Sequence, residues 1–268
     1  MTRHTLFLTA LLLVLIACGR DDIGLIDRSL NEHPFFGTLG SMPAPASPYA
    51  ESTPAVDAWR VFREPDVDYE IIVDGSEANV NISVVWPCTL YIVYPAGDGA
   101  DTVAKPGPQV TGLAQARFGF ADTGWQMTGL SPCDARSDSG FRFLEIDSLR
   151  LVARRDGGSV SFPVVRDMSR RTLDPWPFTF RAGDSIDIEL WQHDTVDAPG
   201  AFLHVPWSPD ATPFRQDTAG TWSGTWVLSD TGRGWAWFEV VDIADAVTDP
   251  DGPDRTVFWG LPCIVEPR

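Results

Sequence analysis

The feature that most constrains this chain is a strict two-residue alternation. In Ser185–Trp191 the apolar Ile186, Ile188 and Leu190 alternate with Asp187 and Glu189. In Asn79–Trp86, Val80, Ile82, Val84 and Trp86 alternate with Asn79, Asn81 and Ser83. Successive side chains of a strand point to opposite faces, so each segment reads as a strand with one buried and one wet face. Shorter apolar runs follow the same logic at Tyr69–Val73, Thr89–Tyr94, Ala116–Phe120, Phe141–Ile146, Leu149–Ala153, Ser159–Val165 and Phe178–Phe180. Three longer ones close the chain, at Thr221–Leu228, Trp235–Ile243 and Thr256–Val265. Gly/Asp turn signals separate them, among them Arg155-Asp156-Gly157-Gly158, Arg181-Ala182-Gly183-Asp184 and the glycine-rich stretch after Tyr94. No helical stripe of twelve residues interrupts the series. Many short strands joined by such turns predict an all-β, antiparallel β-sandwich. The strands fall into a β-rich part over 60–135 and a sandwich-like part over 136–268. The first part reads equally as a separate domain or as a continuation of the second.

The amino end is different. Arg3 precedes an apolar run from Leu6 to Ala17, which fits a signal peptide over residues 1–17. The run is shorter than the roughly 20 residues a membrane-spanning helix needs. It ends in Leu15-Ile16-Ala17-Cys18, which resembles the lipobox of bacterial lipoproteins. That resemblance implies a diacylglyceryl group on Cys18, cleavage before it, and acylation of the new amino end, with palmitate the expected chain. It also implies export and attachment to the cell envelope. With Gly19 rather than Asp after Cys18, it implies sorting to the outer membrane if the host is Gram-negative. Residues 18–59 hold the proline-rich MPAPASPYAESTPA and read as a flexible tether. Loss of Arg3 with the signal peptide leaves 19 basic against 37 acidic side chains, a net charge of −18. Such a surface repels nucleic acid and anionic headgroups, so the membrane is expected as a partner through the covalent lipid alone. Eleven Trp and fifteen Phe argue that the acidic body still builds a real core.

A second likeness covers about thirty residues after Arg170. Asp174-Pro-Trp-Pro-Phe-Thr-Phe, followed by Gly183-Asp-Ser-Ile-Asp-Ile-Glu-Leu-Trp-Gln-His-Asp194, resembles part of a C2 domain. There a Pro-Trp element leads into a strand, and a later apolar strand ends in an acidic, calcium-binding loop. The resemblance implies a C2-like sandwich. It places the paired loop acids on Gln192 and Asp194, so one is missing here, with Asp197 as a later ligand. From the residues themselves, His193, His204, Asp194 and Asp197 are candidate ligands of a divalent metal. Calcium wants several oxygens, whereas zinc wants His or thiolate at tetrahedral spacing. No HExxH or CxxC motif is present, and an ordinary polar loop is the expectation. No cofactor is predicted, calcium being the sole candidate.

Other chemistry is sparse. There is no G-x-S-x-G elbow, and the single lysine, Lys105, has Thr102 rather than a serine three residues before it. Asp187 and Glu189 share a strand face and form a candidate carboxylate pair for polymer hydrolysis. A solvated sheet face explains them as well. Trp222 with Trp226, and Trp235 with Trp237, share faces on successive strands. If those strands pair they form an aromatic ladder, for core packing or as an exposed platform for a saccharide or peptide. Cys88, Cys133 and Cys263 allow one disulfide in an exported protein. Cys88–Cys133 is the expected pair, with Cys133–Cys263 and Cys88–Cys263 as alternatives. The leading functional expectation is a noncatalytic envelope lipoprotein that binds a ligand or partner, such as an envelope protein or saccharide. A hydrolase of envelope or extracellular polymers and a structural surface module are the other two.

Overall fold

The computed structural model describes residues 22–39, 57–96, 99–107, 109–137, 144–155, 157–166, 177–192, 200–208, 211–218, 220–242 and 255–268. These form an all-β body of three sheets with a short helical segment. The ten-stranded sheet runs β15 (Thr212–Pro213), β14 (Gly200–His204), β18 (Gly232–Asp242), β19 (Arg255–Glu266), β8 (Cys133–Ser137), β6 (Val110–Ala121), β3 (Glu77–Trp86) and β2 (Asp66–Asp74). β7 (Gly124–Leu130) lies along β6, and β12 (Phe178–Arg181) along β19. The six-stranded sheet runs β10 (Gly158–Ser161), β9 (Ile146–Arg155), β13 (Ser185–Gln192), β17 (Thr221–Val227) and β16 (Arg215–Thr218), with β11 (Val165–Arg166) on β9. The three-stranded sheet is β1 (Asp57–Phe62), β4 (Cys88–Ala96) and β5 (Gly99–Pro106). Every pairing is antiparallel except β12 with β19.

β18 and β19 stand at the centre and are buried on both faces. Ala236, Phe238 and Val240 with Val257, Trp259, Leu261, Cys263 and Val265 enter one core, which they share with Ile186, Ile188 and Leu190 of β13. Trp235, Trp237 and Phe258 point the other way, into a core lined by Val80, Ile82, Val84 and Trp86 of β3 and Ala114, Ala116 and Phe118 of β6. A strand covered on both sides needs a near-continuous apolar run rather than alternation, and Trp235–Val241 and Val257–Val265 supply one, broken mainly by Glu239. The alternating β3 and β13 bury their apolar sets as the sequence pattern predicts, with Gln192 at the end of β13 the one polar residue buried beside them.

β8 pairs with β6 on one side and β19 on the other. One sheet therefore crosses from the 60–135 part into the 136–268 part. Large rings lie on glycines of neighbouring strands. A Cβ at Gly112 would stand 2.5 Å from the Trp86 ring, and one at Gly260 2.6 Å from the Trp237 ring. Trp86 meets Trp237 edge-on at 5.5 Å between centroids.

The flexible tether expected over 18–59 is corrected for its described part. Residues 22–32 are helical (α1), and Pro34–Leu39 forms a second short helix (α2). Ile26 and Leu30, four apart on one helical face, are buried together with Phe35 and Phe36 in the Trp235/Trp237 core. The Trp235 indole N–H donates to the Phe35 carbonyl (2.8 Å), and the Trp125 indole N–H to Asp22 Oδ1 (3.2 Å). Phe36 meets Tyr69 edge-on. The segment plugs a core whose tryptophans would otherwise face water. Its apolar stripe is too short to stand out in sequence. Residues 40–56, with the proline-rich stretch, lie outside the described residues.

If residues 22–39 belong to the body, Leu30→Ala costs about 2–5 kcal/mol, the range for a large-to-small core change. Urea unfolding of a soluble form starting at Gly19 checks this. An unchanged midpoint would restore the tether.

Candidate functional site

A buried cluster of charged and polar side chains joins two sheets. Arg60 comes from β1 of the three-stranded sheet, and His204, Glu239 and Thr256 from β14, β18 and β19. All four are buried. The register sets His204 opposite Trp237, two residues along from Glu239 and on the same face. Arg60 Nη1 donates to Glu239 Oε1 at 2.5 Å, and His204 Nε2 lies 2.7 Å from Oε2. The Thr256 hydroxyl donates to Oε1 at 3.2 Å. Leu90, Ile92, Phe202 and Val241 form the small apolar core alongside.

Burial by itself would push the Glu239 carboxyl up. The His204 hydrogen bond, then the Arg60 charge, the His204 charge and the Thr256 hydroxyl, hold it below its ordinary value of 4.5. The anion is therefore the resident form. A carboxylate that orients an imidazole is half of a nucleophile-activating triad. Here Arg60 and Thr256 both donate to Oε1 while His204 holds Oε2, and all four residues are buried. The cluster ties β1 of the three-stranded sheet to β14, β18 and β19 of the ten-stranded one. The sequence signal was present: a lone acid inside Trp235–Val241 and a lone histidine inside Ala201–Val205 must find partners. His204, weighed as a metal ligand, belongs instead to Glu239.

The other site residues separate. Asp187 and Glu189 do share the wet face of β13. Asp187 is paired with Arg154 and accepts from the Thr225 hydroxyl, while Arg150 Nη1 donates to Glu189 Oε2 at 2.9 Å. The aromatic ladder does not form, because β17 pairs with β13 and β16 while β18 pairs with β14 and β19. Trp222 and Trp226 are buried in the core facing β13, and Trp235 and Trp237 in the opposite core. None of the four is an exposed platform. Gln192, on the position of the missing C2 acid, is buried and accepts from the Trp222 indole N–H at 3.3 Å. His193, Asp194, Asp197 and Cys18 lie outside the described residues. Among the described residues no three His, Cys, Asp or Glu side chains gather in a metal-binding group.

The expected disulfide is overturned. Cys88, Cys133 and Cys263 are buried thiols, none of them in a disulfide. Cys133 is level with Gly260 on β19, so Cys263, three residues further, faces the opposite core. Cys88 belongs to the three-stranded sheet, its sulfur against Gly107. Burial pushes the Cys263 thiol up to about 12, which makes it a poor nucleophile. No family model, curated protein or solved structure matches this chain.

Two outcomes follow from this geometry. Glu239→Gln should cost about 3–5 kcal/mol, because it removes the buried carboxylate charge to which Arg60 is bonded. Since folding depresses the Glu239 pKa, its stabilisation is full above 4.5 and is lost as pH falls through the folded value. The stability gap between wild type and variant, measured by denaturant unfolding, should narrow below pH 4.5. A pH-independent gap would refute the assignment. Thiol titration should find the three core cysteines unreactive in the native body and all reactive in denaturant without a reductant.

Proposed function

We propose that this chain is an exported envelope lipoprotein, anchored through Cys18, whose β body binds a polar partner and carries out no catalysis. The observation that carries the noncatalytic part is the commitment of Asp187 and Glu189 to Arg154 and Arg150. A hydrolytic carboxylate pair has to face a substrate across a cleft with both acids free to reach it, whereas these two lie on one solvated sheet face, each held by an arginine of β9. The anchor rests on the charged start, the apolar run and Leu15-Ile16-Ala17-Cys18. On this reading the six-stranded sheet and the face of β18–β19 that shares its core make a C2-like sandwich. The outer face of β9 and β13, with its Arg–acid pairs and half-buried Trp191, suits a polar envelope protein or saccharide.

The mature amino terminus from the natural host, analysed by mass, should carry acyl chains on Cys18, and Cys18→Ser should leave the body folded and unacylated. An uncleaved Met1 would end the anchor reading. The double variant Asp187→Asn/Glu189→Gln should lose no more than about 1 kcal/mol per surface pair. Release of sugar from an envelope polymer by wild type, abolished in that variant, would favour the hydrolase instead.

A further inference from the structure

We infer that the end of the body where α1 begins is a membrane-facing surface, seated on a zwitterionic lipid surface through Ile23, Leu25 and Phe120. The inference rests on the reading of Cys18 as the lipidated residue. It begins from the absence of slack in the chain. Only Gly19, Arg20 and Asp21 separate Cys18 from Asp22, and four residue steps span at most about 14 Å. At Asp22 the chain is already tied to the body. The Trp125 indole N–H bonds its carboxylate, and Ile26, Leu30, Phe35 and Phe36 are packed in the core. With its acyl chains in the bilayer, this end of the body cannot stand far from the headgroups.

The side chains at that end suit the position. Ile23 and Leu25 are each 45% exposed in the first turn of α1, at the end where the chain enters the fold. A Cβ added at Gly24 between them would meet nothing within 4 Å. Phe120, 54% exposed, stacks edge-on against Trp125 at 5.4 Å, and Trp125 holds Asp22. The Phe120 amide donates to the Ser76 carbonyl at 2.8 Å, which brings the β2–β3 turn to the same rim. Single exposed apolar residues are ordinary. Three of them around the point where a lipid-bearing segment enters the fold make a seat for the acyl–headgroup boundary. The acids at this end, Asp22, Asp27, Glu77 and Asp122, outnumber the basic Arg20 and Arg28 of the same stretch, and with the strong negative charge of the whole chain they oppose an anionic surface. That selects zwitterionic lipid.

The test uses the full-length protein, purified from its host and reconstituted into phosphatidylcholine vesicles. A polarity-sensitive thiol dye is placed on Leu25→Cys, on Phe120→Cys or, as the control on β10, on Val160→Cys. The three native core cysteines are buried and do not compete. Mass analysis of the same samples reads the acylation of Cys18. We expect acylated protein whose dyes at 25 and 120 are blue-shifted, quenched by nitroxide lipids and severalfold less accessible to iodide than the dye at 160. Vesicles of phosphatidylglycerol should give weaker protection. Acylated protein in which position 25 is as open to iodide as position 160 would overturn the membrane seat and leave the anchor standing. Stronger protection on phosphatidylglycerol would overturn the choice of lipid. Protein without an acyl chain on Cys18 would sink the anchor reading and the seat with it.

Discussion

The fold depends on the β18–β19 ladder, which runs in register from Gly232↔Val265 to Asp242↔Arg255. Each strand gives alternate side chains to two different cores, so neither core exists without it. β8 attaches to its free edge and carries the sheet into β6, β3 and β2. β14 attaches to the other edge. A two-stranded ribbon apolar on both faces is unstable in water. The six-stranded sheet covers one face, and the curl of the ten-stranded sheet with the helical plug covers the other. This is why the amino-terminal segment is drawn in. Trp235 and Trp237 form part of a floor that strands alone leave incompletely covered.

Packing at that floor sets large rings on glycines, Trp86 over Gly112 and Trp237 over Gly260. The indole N–H groups of Trp86, Trp237 and Trp259 are buried with no acceptor among the described residues. An unmade hydrogen bond costs about 1–3 kcal/mol. Burying a tryptophan removes some 150–250 Å² from water, worth roughly 4–6 kcal/mol at 25 cal/mol per Å², so burial wins for each ring. Glu239 follows the opposite rule. A bare buried carboxylate costs more than packing returns. Arg60, His204 and Thr256 therefore converge on it, and in doing so hold the three-stranded sheet to the ten-stranded one.

The clearest strands in the sequence are β13 and β3, where one face is wet and the alternation is unbroken. Ile186, Ile188 and Leu190, and Val80 through Trp86, alternate because their partners on the other face meet solvent. β18 and β19 were placed by their apolar length, yet their neighbours were not. The sequence carries no mark that β17, next to β18 along the chain, joins another sheet, and the aromatic ladder failed for that reason. β5, β7, β8 and β14 are short or glycine-rich and lack a clean period. The disulfide expectation failed because cysteine spacing says nothing about which face of a sheet a thiol occupies. The Arg60–Glu239–His204 cluster was half visible, as charges stranded in apolar runs. Their mutual contact depends on long-range register, which no local pattern encodes.

On the proposed reading, the plug also changes what the lipid does. Behind a flexible tether of forty residues the body would sample a volume tens of ångströms deep, and its orientation to the membrane would be random. With α1 locked through Ile26, Leu30, Phe35 and Phe36, the anchor and the core are one mechanical unit. A pull on the acyl chains loads the Phe35 carbonyl bond to Trp235 and the Asp22 bond to Trp125 before it stretches any slack. The body then keeps one end toward the bilayer, and the faces remote from α1, including the charged outer face of β9 and β13, are free to meet a partner. Orientation becomes a property of the core, set by the same tryptophans that the helical segment covers.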